Sequence, residues 1–115
     1  MKDQVNELTG RAFNLEQFVE YADGAVVSKT LLKKDAGTIT LFAFDCGQGL
    51  SEHTAPFDAA VYILDGEARI TIGGDPQTVA AGQMLIMPAN VPHALQAEVR
   101  FKMMLVMIRG AGKAA

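Results

Sequence analysis

The sequence predicts an all-β chain folded as a sandwich or small barrel, and three observations predict it. Short runs of strand-forming residues recur, with turn signals about every 8 to 12 residues. Within one run, Ala68, Ile70 and Ile72 alternate with Arg69 and Thr71, the period-2 pattern of a strand with one buried and one wet face. The last run, Phe101 to Ile108, is apolar on both faces: Phe101, Met103, Leu105 and Met107 on one, Met104, Val106 and Ile108 on the other. A strand of that kind must be covered twice.

The elements follow in order. Asn14 precedes Leu15, Phe18 and Val19 at helical spacing, with Gln17 three residues on, which predicts a capping-box start to a short helical turn that Gly24 ends. Ala25 to Leu32 is the first strand. Lys29, Lys33 and Lys34 along and beyond it mark an exposed edge, where lysine discourages stray pairing. Asp35-Ala36-Gly37 turns the chain into Thr38 to Cys46, rich in Thr, Ile, Leu and Phe, and Gly47-Gln48-Gly49 breaks that strand. Ala59 to Leu64 follows, then Asp65-Gly66, a preferred two-residue hairpin turn, then Ala68 to Ile72. After the turn at Gly73 to Pro76 come three short strands, Thr78 to Ala80, Met84 to Met87 and His93 to Ala97, divided by Gly82, Pro88 and Pro92.

The chain has 115 residues, half of them hydrophobic, and is read as one domain with a core that needs no disulfide. It has one cysteine, Cys46, expected as a small buried side chain in a protein of a reducing compartment. The first ten residues, MKDQVNELTG, are polar and lack the apolar core of a secretion signal. No apolar run approaches the roughly 20 residues that span a bilayer. A soluble, cytoplasmic protein is expected. The net charge is −3 and the basic residues are scattered, so neither a nucleic acid nor a membrane is an expected partner. The tail from Gly110 to Ala115 lacks large apolar groups and is expected to fray. The two-faced last strand predicts a homodimer in which a second subunit supplies the outer cover. The alternative is that the N-terminal segment supplies it within one chain.

A motif pair falls on the β-rich core. Gly47, five residues and His53 match the opening of G-x5-H-x-H-x3,4-E-x6-G, and Gly66 matches its close. Gly82, five residues, Pro88, Asn90 and His93 follow the frame G-x5-P-x-G-x2-H-x3-N. In these frames the chain resembles the cupin superfamily over about residues 38 to 108. The resemblance implies a jelly-roll, double-stranded β-helix barrel. It also implies a divalent metal (zinc, nickel, iron or manganese) held by three histidines and a glutamate. Two of those four positions carry Ala55 and Ala59 here. Asn90 stands at a glycine position and tolerates the same positive φ. Ala97 replaces the final asparagine. The chain has only two histidines, and both fall on ligand positions.

Three readings of the site follow. Neutral imidazole is a good transition-metal ligand, but His53 and His93 make an incomplete metal site. A third donor would have to come from Glu52, Asp58, Gln48, Tyr62 or Cys46, and strand alternation turns Glu52 and Asp58 away. In the second reading the histidines act as general acid and base on a small polar metabolite, oriented by Asp58 or Glu52. The third reading, a binding barrel, is the leading one. The two alanines leave space for a small-molecule ligand between walls of Val61, Ile63, Ile70, Ile72 and Met84 or Ile86, with His53 and His93 as the polar contacts. Against these stands a purely structural histidine pair. The six methionines are read as adaptable core filler.

Overall fold

A computed structural model describes residues 8–109. The tail expected to fray lies outside the described residues, as does most of the polar N-terminal stretch. The fold is all-β, as expected: among the described residues eight strands form a curled sheet, and a 3₁₀ turn, Glu16–Phe18, precedes them. The strands are β1 (Val26–Lys34), β2 (Gly37–Phe44), β3 (Gly49–His53), β4 (Asp58–Ile72), β5 (Asp75–Ala80), β6 (Met84–Met87), β7 (His93–Gln96) and β8 (Phe101–Ile108). Their hydrogen-bonded order is β1-β2-β8-β4-β7-β3, with β5 and β6 also on β4. Every pairing is antiparallel.

β4 departs from expectation. Asp65-Gly66 is not a hairpin turn, because the strand runs through it for 15 residues. Its first half pairs with β6 and β8, its second with β5 and β7. The register slips between Ile63 and Asp65, and Gly66 adopts φ 73°. This is the corner where one strand passes from one sheet to the other, the use to which bulges are commonly put. A Cβ at Gly66 would run into the carbonyl oxygen of Arg100. The two-residue hairpin lies one strand later, at Gly73-Gly74, with φ 57° and 85°. Two successive positive φ values suit the twist of a tight hairpin.

The short N-terminal turn also forms by another route than the capping box. Leu15 is its N-cap and makes no side-chain cap bond, while Asn14 Nδ2 donates to Gln17 Oε1 at 3.3 Å. Both side chains are exposed, so the bond orders the turn without satisfying its free amides. The edge reading of the first strand agrees with the topology: β1 ends the sheet and Lys29, Lys33 and Lys34 are exposed.

Two apolar clusters result. The barrel interior holds Phe44, Val61, Ile63, Ile70, Leu95, Phe101 and Met103, with Phe44 and Phe101 stacked at 4.5 Å between centroids. The second lies outside the sheet, where Leu15, Phe18, Val19 and Tyr21 pack on Leu31, Leu41, Ala43 and Met104. Polar bonds fasten this segment. Tyr21 donates its hydroxyl to Asp65 at 2.6 Å, and Lys102 Nζ donates to the Glu16 carbonyl at 2.7 Å. The N-terminal segment thus covers part of the outer face of β8 within one chain. Val106 and Ile108, farther along, are left partly or largely exposed.

Candidate functional site

His53 and His93 come together. They are register partners across β3 and β7, and their rings meet edge to face with centroids 4.4 Å apart. His93 is 5% exposed, whereas His53 stands exposed at the barrel mouth. Local backbone geometry fixes both rings in the same way. His53 Nδ1 lies 2.8 Å from the Ser51 carbonyl and His93 Nδ1 lies 3.2 Å from the Val91 carbonyl, in each case two residues back. A carbonyl can only accept, so each Nδ1 carries a proton and Nε2 is the ring nitrogen left free for a ligand.

The loops that carry the histidines are stitched together. Asn90 takes φ 65°, the one positive value outside glycine among the described residues, as its place in the motif required. Its amide donates to the Ala55 carbonyl at 2.7 Å, and the Ala89 amide donates to Asp58 Oδ1 at 2.8 Å. Asp58 is thereby occupied as a loop clamp. Gly47 and Ala97 exchange a similar stitch: the Gly47 amide donates to the Ala97 carbonyl and the Ala97 amide to the Gln48 carbonyl.

A cavity of about 70 Å³ lies against the pair, lined by Leu50, His53, Ala55, Ala59, Met87, His93, Leu95, Met103, Leu105 and Met107. Its only polar side chains are the two imidazoles, and it holds no charged group. This lining differs from the expected one. Val61 and Ile63 are fully buried in the barrel core, and Ile70 and Ile72 pack there too, apart from the cavity. Met84 is 57% exposed and Ile86 63% exposed. Both stand on the outer face of β6, because it is Leu85 and Met87 that alternate inward. The walls that sequence reasoning missed are supplied mainly by β8 and by Met87. Their inward parity follows from register: Ala59 pairs with Met87 on one side and Met107 on the other.

None of the five suggested third donors reaches this cavity. Glu52 is exposed, and Tyr62 lies on the outer face between Met84 and Met104. Cys46 is exposed rather than buried, its thiol on the Glu98 carbonyl at 3.2 Å. Its loop turns outward before β3 begins. Among the described residues no three His, Cys, Asp or Glu side chains gather where they could share a metal. The donors present therefore do not fit the four-ligand divalent site that the motif frames imply: Ala55 and Ala59 offer no lone pair.

Comparison with known proteins agrees with the architecture. The family model described as a cupin domain matches residues 40–109. The chain belongs to the cupin family. This cupin superposes on a conserved Streptococcus pyogenes protein of unknown function with a TM-score of 0.85, at 39% identity over 90% of each chain. A cupin superfamily protein from Desulfitobacterium hafniense gives a TM-score of 0.83 at 30% identity, covering 89% of this chain and 94% of the other. An uncharacterised Streptomyces coelicolor protein is 31% identical over 86 residues, 72% of this cupin and 80% of the relative. No helix among the described residues is long and apolar enough to cross a membrane.

Proposed function

We propose that this cupin barrel binds a small molecule in the cavity beside His53 and His93. The observation that carries it is the pair of imidazoles that line an otherwise apolar space, each ring oriented by a backbone carbonyl. Apolar walls with a few fixed polar points describe a ligand pocket. The cavity is small against the ~300–1,000 Å³ of drug-sized sites. Its occupant is a compact species held by the imidazoles and reached through the mouth at His53. The acid–base enzyme reading has less support, since the carboxylate it needs is engaged elsewhere: Asp58 clamps Ala89. The protein works as a homodimer joined through the uncovered outer face around Ile86 and Ile108, and its lone thiol supports a reducing, cytoplasmic location.

The test is a fragment screen on the full chain with small alcohols, phenols and carboxylic acids, read by NMR of the methionine methyls. Binding should shift Met103 and Met107 and weaken about tenfold or more in His93→Ala, in keeping with the loss of a buried bond. Unmoved methyl signals would refute the pocket. So would unfolding of both His53→Ala and His93→Ala, which would mark a structural pair.

A further inference from the structure

The cavity has a second chemical feature besides its imidazoles. Ala59 occupies the position where the motif frame puts a carboxylate. Its two register partners are Met87 on β6 and Met107 on β8. Paired residues share a face of the sheet, so both thioethers flank the small alanine from either side and line the same cavity as the histidines. His53 and His93 line this space from β3 and β7, and Met87 and Met107 from β6 and β8. We propose that this set is a site for a soft monovalent cation of the copper(I) class. The inference rests on the reading of the cavity as a binding site and names its occupant at the sulfur end.

Three physical points favour that cation over a divalent one. Thioether and imidazole donors select copper(I), whereas harder ions prefer carboxylates and water. No carboxylate lines the cavity, so a divalent ion would sit there with its charge uncompensated. The cost of moving an ion out of water scales with the square of its charge, so a monovalent ion incurs about a quarter of the divalent penalty. Finally, both histidines give their Nδ1 protons to backbone carbonyls. That second bond is the arrangement that orients a metal-binding imidazole and raises its basicity.

The experiment is anaerobic titration of the full chain with copper(I), kept reduced by ascorbate, in competition with bicinchoninate. Zinc(II) is titrated in parallel. One equivalent of copper(I) and little zinc are expected. The variant Met87→Leu/Met107→Leu keeps the apolar volume and should keep the fold. It should lose more copper(I) affinity than the roughly 10–100-fold typical of disturbing a ligand's outer support. His53→Ala should lose it too, from an exposed position whose replacement spares the core. Failure of the wild type to compete for copper(I) would overturn the proposal. Undiminished affinity in the double variant would also overturn it, showing that the methionines only fill the space beside Ala59. If organic fragments still shift the methionine methyls while copper(I) is refused, this proposal alone falls. If neither binds, the pocket falls with it.

Discussion

The outer face of β8 has two halves, and they meet different fates. At the Lys102–Met104 end the N-terminal segment lies across the strand, and the polar groups there find partners. Tyr21 bonds Asp65, Lys102 bonds the Glu16 carbonyl, and the Lys102 and Arg100 cations stand about 5 Å from the Tyr21 ring, at 5.1 and 5.0 Å. Burial first and the Asp65 carboxylate second push the Tyr21 hydroxyl well above its ordinary pKa, so it stays a donor. At the Val106–Ile108 end the cover thins: Val106 is half-buried and Ile108 is 59% exposed. There the register lines up Ile86, Ala60 and Val106 across three strands. A two-faced strand therefore says that a second cover is needed without saying who supplies it. Here one chain supplies half, and the rest leaves Ile86 and Ile108 exposed beside half-buried Ala60 and Val106, apolar groups that a partner surface could cover.

The largest effect on the folded chain belongs to the covered half. Lys102→Ala removes a buried stem and leaves the Glu16 carbonyl without its donor, which should lower unfolding free energy by about 2–3 kcal/mol. Lys102→Met keeps the stem and should recover about 1 kcal/mol of that. Urea titration of both variants separates the two contributions. Stability unchanged in both would mean that the N-terminal segment is held without this bond, and the contrast between the halves would vanish.

The more exposed half should respond in the opposite sense. Ile86 is 63% exposed, so Ile86→Glu should alter the stability of the folded chain by less than about 0.5 kcal/mol. It should nevertheless turn the proposed dimer into a monomer, as measured by light scattering after size exclusion. A wild-type chain that runs as a monomer at all concentrations would break the comparison, leaving Ile86 and Ile108 with no second copy to cover them.

Much of this was legible in the sequence, for identifiable reasons. Alternation at 68 to 72 and the glycines at 47, 73, 74 and 82 carry strand and turn information in a few neighbouring residues. The two histidines could be paired through their motif frames. The lining of the cavity could not. β6 reads Met-Leu-Ile-Met, and with no polar residue in it the alternation gives no parity; pairing of Ala59 with Met87 decides it. Asp65-Gly66 has the composition of a hairpin, yet its positive φ serves a corner within one strand, because the partner strands that make it a corner lie far off in sequence. Cys46 was expected inside on the average behaviour of cysteine, but its loop leaves the barrel. The tautomer of each imidazole depends on a carbonyl two residues back, which is set by strand geometry alone.

The smallest effect is also on the covered half, at its outer end, where Asp45 ties the segment to β8. Its carboxylate accepts from Arg100 Nε at 2.8 Å and from the Gly24 amide at 2.7 Å. The Arg100 hydrogen bond first, then the amides of Gly24 and Cys46, bring its pKa down from 3.8 to about 2. A carboxylate depressed in the folded state stabilises it fully above the unfolded pKa, and that contribution disappears as pH falls through the folded value. The window is therefore between about pH 4 and pH 2. Arg100 is 48% exposed, so water and salt screen the pair and the contribution is small. Asp45→Asn retains the shape and one acceptor oxygen but not the charge. Its urea midpoint should lie slightly below that of the wild type at pH 6, and the two should converge by about pH 2. A gap of the same size at pH 2 would show that the loss of the second acceptor oxygen, and not of the carboxylate charge, weakens the fastening of the segment.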